Sequence, residues 1–176
     1  LYSAFSRMHV QKTWDAILNA PLALDDVLAG EWLWAAAKAT LSGVAILIVI
    51  TALGLVGSPL ALLTIPVIFL IGLTFAAFGL IVTALARSFD FFMYYFTLFV
   101  TPMILLCGVF YPVEQLPAAL QTVAGALPLA HAIRIVRPLL LGTWPTDIGL
   151  HIGALLFSAF AAYWVALILT RRRLLA

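Results

Sequence analysis

Nucleotide hydrolysis, metal binding and nucleophilic catalysis each need particular residues at particular spacings, and this chain offers few of them. Its lysines are Lys12 and Lys38, and neither follows a glycine. A phosphate-cradling loop needs G-x-x-x-x-G-K-[ST], so ATP hydrolysis by that route is not expected of this chain. His9, His131 and His151 stand far apart in sequence with no carboxylate cluster beside them, and neither G-x-S-x-G nor H-E-x-x-H occurs. Cys107 is the single cysteine, which leaves no internal disulfide and no multi-cysteine metal site. It reads as apolar filler in a helix. What remains is a run of aromatic and hydroxyl side chains, Phe89, Phe91, Phe92, Tyr94, Tyr95, Phe96 and Phe99 with Thr97 and Thr101. Such a set suits recognition of an amphipathic or sugar-bearing molecule. Tyr94, Thr97 and Thr101 are spaced three and four apart, so a helix presents them on one side. Hydroxyls against lipid are costly unless they find a partner. A transport path or a protein seam is one reading of this face. An interfacial aromatic belt, with both threonines bonded back to their own helix, is the other.

The elements that carry these residues follow from composition. The chain has 176 residues, 65% hydrophobic and only 9% charged, against roughly half apolar and a quarter charged in soluble domains. Lipid is the natural solvent for such a chain. A net charge of +2, with no basic patch beyond Arg171, Arg172 and Arg173, gives no nucleic-acid groove. From Ala39 to Ala86 there is no Asp, Glu, Lys or Arg, a run more than twice the ~20 residues of one span. Gly54, Gly57, Ser58 and Pro59 supply a turn inside it. We therefore expect an all-α integral membrane protein with spans near 31–56, 60–86, 91–111 and 148–170. Alternation of a membrane β-barrel is absent from the sequence. Pro102 is expected to bend the third span.

Two stretches differ. Residues 1–30 mix Arg7, Lys12, Asp15, Asp25 and Asp26 with apolar residues and read as interfacial. Residues 112–147 carry Pro112, Pro117, Pro128, Pro138 and Pro145 and read as two short helices near 116–127 and 129–141. Lys and Arg collect on the side of residues 1–30, Arg87 and the C-terminus, which the positive-inside rule makes cytoplasmic. The 112–147 loop is then external. His151 falls near the outer end of the last span and reads as an interfacial, hydrogen-bonded histidine. Gly72, Ala76 and Gly79 share one helix face, as do Gly149 and Gly153. Such small-residue stripes let helices approach closely, within one subunit or between two. Spans so poor in ionisable groups make an ion-coupled transporter unexpected. Uphill transport would then draw its energy from a separate subunit. The chain opens on Leu1 without a basic n-region, so a natural N-terminal part is expected to precede it.

Three groups of residues carry a family resemblance. One runs from Asp90-Phe91-Phe92-Met93-Tyr94-Tyr95 through Thr101-Pro102-Met103 to Gly108-Val109-Phe110-Tyr111-Pro112-Val113-Glu114-Gln115-Leu116-Pro117. The second is Leu127-Pro128-Leu129-Ala130-His131 with Arg137-Pro138 and Leu141-Gly142, and the third joins Arg7-Met8, Gln11-Lys12-Thr13 and Ala20-Pro21-Leu22 to Gly30-Glu31. Together they resemble the type-2 ABC exporter permeases, nearest the nodulation-protein-J branch, over essentially the whole chain. The resemblance implies six helices, of which these spans are the third to sixth, and an external re-entrant loop between the last two. It also implies a homodimer in the bacterial inner membrane, bound to ATPase subunits. This chain itself would bind no cofactor, ATP and Mg being held by the partner. Residues 1–30 would hold the end of a preceding helix and the segment that docks on the ATPase. Within it Trp14, Ile17 and Leu18 share a helical face, flanked by Lys12 and Asp15 and closed by Pro21. A membrane-surface helix with no partner is the rival for that segment. The expected activity is export of an amphipathic or lipid-linked saccharide. A hydrophobic drug as cargo, or a membrane-embedded enzyme acting on lipid, is the alternative.

Overall fold

The computed structural model describes residues 24–86, 88, 90–110 and 113–174. Among them every regular element is helical. Helix α1 is Leu24–Ala52. A 3₁₀ turn, Pro59–Leu63, leads into α2, Thr64–Leu85. Helix α3 runs Asp90–Leu106. The short helices α4, Ala118–Ala126, and α5, Pro128–Leu141, precede α6, Ile148–Leu174. Three helices are long and apolar enough to cross a membrane: α1, α2 with its 3₁₀ turn, and α6.

The helix ends show what the sequence leaves ambiguous. The first span is already helical at Leu24, ahead of the expected Glu31, and Asp25 and Asp26 sit in the first turn described, where carboxylates favour the helix dipole. Residues 24–30 are therefore helix. It stops at Ala52, ahead of Gly54 at φ +71°. Helix α2 starts after the 3₁₀ turn that Ser58 caps by accepting the Leu60 N–H. The last helix continues past Thr170 to Leu174, its three arginines occupying the favourable C-terminal turn. Helix α3 is shorter than the expected 91–111. It ends at Leu106, and Gly108 at φ +81° turns the chain away. At 1.5 Å per residue it reaches about 25 Å, less than the ~30 Å hydrocarbon core.

Helix α2 is the hub. It packs mainly on α6 and α1, and α5 also rests on it. Leu28, Trp32 and Ala36 form the buried stripe of α1 at four-residue steps. Trp32 stacks on Tyr163 of α6 with centroids 4.3 Å apart, and its indole N–H donates to the Leu73 carbonyl at 2.7 Å. A Cβ at Gly72 would lie 3.1 Å from the Ala36 Cα, so glycine sets the α1–α2 distance here. Ala76 lies against the core formed by Trp32, Ala77, Leu80 and Ala159, and Gly79 is buried. Gly149 and Gly153 meet nothing within 4 Å. They present open small-residue surface among the described residues.

The opposite ends of this bundle have different chemistry. At one end Asp25 of α1 forms a bidentate pair with Arg171 of α6. Arg173 donates to the carbonyls of Thr83, Ala84 and Ala86, which closes the C-terminus of α2. At the other end the α4–α5 hairpin, bent by 84° at Leu127, covers the α1–α2 turn and the start of α6. Pro128 enforces the extended Leu127 and opens α5. The Gly57 N–H donates to the Leu140 carbonyl at 3.0 Å, and a Cβ at Gly142 would strike Ser58 at 2.9 Å.

Replacing Gly72 with Leu should therefore force α1 off α2 and destabilise the full-length protein by about 1–3 kcal/mol. Gly149→Leu, placed in open space, should leave stability unchanged. Thermal unfolding of both variants in one detergent checks the contrast.

Candidate functional site

Helix α3 presents two faces with different tasks. Phe92 is fully buried against Val82 and Ala86, and Tyr95 packs beside them. Tyr95 stacks on Phe99 with centroids 5.5 Å apart, and Phe99 meets Phe78 of α2 at 6.1 Å. Aromatic contacts of this kind hold α3 on the hub. The other face carries Tyr94, Thr97 and Thr101, all exposed, with Leu98 and Leu105 beside them. Tyr94 is 66% exposed. The structure thus places the three hydroxyls on the outward side of an apolar helix, and none reaches another helix among the described residues.

The middle of α3 is a π-helix, Phe96–Val100. Pro102 follows it and lacks the N–H that a regular turn would use. The chain accommodates the proline by widening the turn: both the Thr101 N–H and its hydroxyl donate to the Phe96 carbonyl, the hydroxyl at 3.0 Å. The Thr101 hydroxyl is therefore satisfied within its own helix, while the Thr97 hydroxyl has no hydrogen bond among the described residues. Sequence spacing pointed to a bend at Pro102 but held no sign of the π turn.

Other polar groups meet that no motif announced. His131 of α5 and His151 of α6 approach with Nδ1 atoms 2.8 Å apart. One ring must donate and the other accept, so a single proton lies between them. His151 is buried. His131 lies in the hairpin, whose helices are each too short to span. Burial, then the charges of His151 and Arg134, hold it below the usual histidine value. Twenty residues separate the pair in sequence, and the packing of α5 on α6 closes that gap. Arg137 reaches from α5 to the Gly108 carbonyl at 2.9 Å, tying the hairpin to the end of α3. Among the described residues no group of three or more His, Cys, Asp or Glu could hold a metal ion. Lys12, Trp14, Asp15, Ile17, Leu18 and Pro21 lie outside the described residues.

A bundle of long apolar helices, a hairpin at one end and an aromatic helix with an outward polar face define a multi-pass membrane protein. Its sequence matches the ABC-2 type transporter family model over residues 2–141. The chain belongs to that family and is an ABC transporter permease. It is 46% identical to Nodulation protein J of Rhizobium meliloti (strain 1021), over 99% of this chain and 67% of the relative. Identity is 43% to the protein of the same name from Bradyrhizobium diazoefficiens, over 99% of this chain and 67% of the relative. For that of Sinorhizobium fredii it is 42%, over 100% and 67%. No solved structure matches the chain.

The histidine pair generates a pH prediction. Around it stand Arg134 on the same helix as His131, and Asp147 at the start of α6. Because the folded value of His131 lies below the unfolded one near 6.5, the unfolded hairpin binds more protons below that pH. The contact is fully stabilising above about pH 6.5 and weakens as pH falls below it. Hydrogen exchange across residues 128–141, corrected for intrinsic rates, should show protection falling with acidification in the native protein. In His131→Asn that pH dependence should be absent.

Proposed function

We propose that this permease exports an amphipathic or lipid-linked saccharide across the bacterial inner membrane, and that Tyr94, Thr97 and Thr101 border the path. The observation that carries this reading is their placement together on the outward face of α3, where bulk lipid offers hydroxyls no partner. Family membership supports an ATPase partner. In this reading that subunit binds ATP and Mg, and two permease copies form the working unit. The Arg171–Arg173 end of the bundle faces the cytoplasm and the α4–α5 hairpin faces outward, in keeping with the distribution of Lys and Arg. The segment with Lys12, Trp14, Asp15, Ile17, Leu18 and Pro21 docks on the ATPase. Gly149 and Gly153, open on the surface of α6, suit a seam with another helix.

Single changes of Tyr94, Thr97 and Thr101 to Leu in the full-length permease, assembled with its ATPase, test the reading. Each should lower export of a lipid-linked saccharide and cargo-dependent stimulation of ATPase activity on the order of tenfold, the effect of losing one or two hydrogen bonds. Assembly should be intact. Normal export by all three variants, or failure only through loss of insertion, would sink the path assignment.

A further inference from the structure

Two cavities meet on α5, at the end of the bundle away from Arg171–Arg173. One, of about 550 Å³, is walled by Ile50 and Leu55 at the end of α1, Ile71 of α2, and Leu129, Val136 and Leu140 of α5. Its lining is almost wholly aliphatic. The other, of about 430 Å³, lies among Gly108, Arg134, Arg137, Thr146, Asp147 and His151. Ile133 and Arg137 belong to both walls, so the cavities are neighbours divided by one ridge of α5. An apolar chamber beside a cationic one has the form of an amphiphile: a chain on one side, an anionic group on the other.

The charges fix the sign of that group. Among the described residues of the polar cavity, Arg134 and Arg137 stand against Asp147. Arg137 is partly committed to the Gly108 carbonyl. Arg134 is exposed, and its guanidinium has no salt bridge or hydrogen bond among the described residues. The N-terminus of α6 adds partial positive charge from its first turn. Depth points to the source of the ligand. The polar cavity sits where a membrane-long helix begins, and the loop leading into that helix carries the exposed Trp144, which marks the level of lipid headgroups. We infer that the paired cavities bind one anionic phospholipid, its phosphate at Arg134 and Arg137 and an acyl chain in the aliphatic chamber.

Binding to the full-length permease in detergent, followed by native mass spectrometry, tests this. The probes are dioleoylphosphatidylglycerol, dioleoylglycerol, a neutral glycolipid and inorganic phosphate. The native protein should retain the phosphatidylglycerol over dioleoylglycerol and the glycolipid. Arg134→Gln should weaken that retention on the order of tenfold, the loss expected of one charge-assisted contact, and Arg134→Lys should restore most of it. Val136→Phe, which fills the aliphatic chamber, should weaken it likewise while leaving any phosphate binding alone. Equal retention by native protein, Arg134→Gln and Val136→Phe overturns the site. So does absence of binding to the native protein, which would mean that other parts of the full chain fill the chamber. Displacement by millimolar phosphate would identify a free-anion site, and glycolipid binding indifferent to Arg134→Gln would assign the cavities to cargo. Either overturns the lipid assignment without touching the path at Tyr94, Thr97 and Thr101.

Discussion

Helix α2 is walled by protein along much of its length, and every polar atom it brings into that environment has to find its partner there. Water is absent from the hydrocarbon, and an unpaired donor in it costs several kcal/mol, roughly. Thr74 lies 3.0 Å from the Leu70 carbonyl and 3.2 Å from that of Leu155, so one proton serves its own helix and α6. Thr83 donates to Gly79. The free carbonyls at the end of α2 are closed by Arg173, and the Trp32 indole donates to the Leu73 carbonyl. With these needs met, glycine and alanine can bring α1 and α6 close, and dispersion over tight contacts does the rest. The exposed pair of Asp25 and Arg171 adds about 0–1 kcal/mol to stability and mainly fixes the register of α1 on α6.

What the sequence showed and what it hid divide along physical lines. The long spans were legible because hydrocarbon demands continuous apolar runs and loops demand breakers, and both are patterns along one dimension. The proline-rich hairpin was legible for the same reason. Helix ends were not, since Asp25, Asp26 and Arg171–Arg173 look like loop by charge yet sit where the helix dipole favours them. Contacts across the fold were the least legible. His151 read as an interfacial histidine and His131 carried no role of its own, and nothing in their spacing brings them together. Arg173 read as one member of a basic tail, whereas its guanidinium caps another helix. The hydroxyl face of α3 was visible as a spacing of three and four, but the π turn between its members was not. That turn depends on how a proline's missing donor is accommodated, and the surroundings settle it.

The same reasoning separates the two faces of α3. Its inner face is committed: Phe92 is enclosed, and the Tyr95–Phe99–Phe78 series locks the helix against α2. Its outer face is not, and the polar groups there are of unequal standing. Thr101 is satisfied by the Phe96 carbonyl, which already accepts a backbone N–H, so that hydroxyl supports the π turn as much as any ligand. Thr97 sits inside the π segment with no such arrangement, and Tyr94 projects from the regular turn before it. Under the proposed reading Tyr94 and Thr97 would therefore carry the direct contacts, and Thr101 would shape the turn that aims them. Wide turns of this kind are often retained at functional sites, because a regular helix is the lower-energy alternative unless something else is gained. Here the proline removes the regular alternative, and the gain would be a helix pinned on one side while the hydroxyls on the other remain free to change partners as cargo passes.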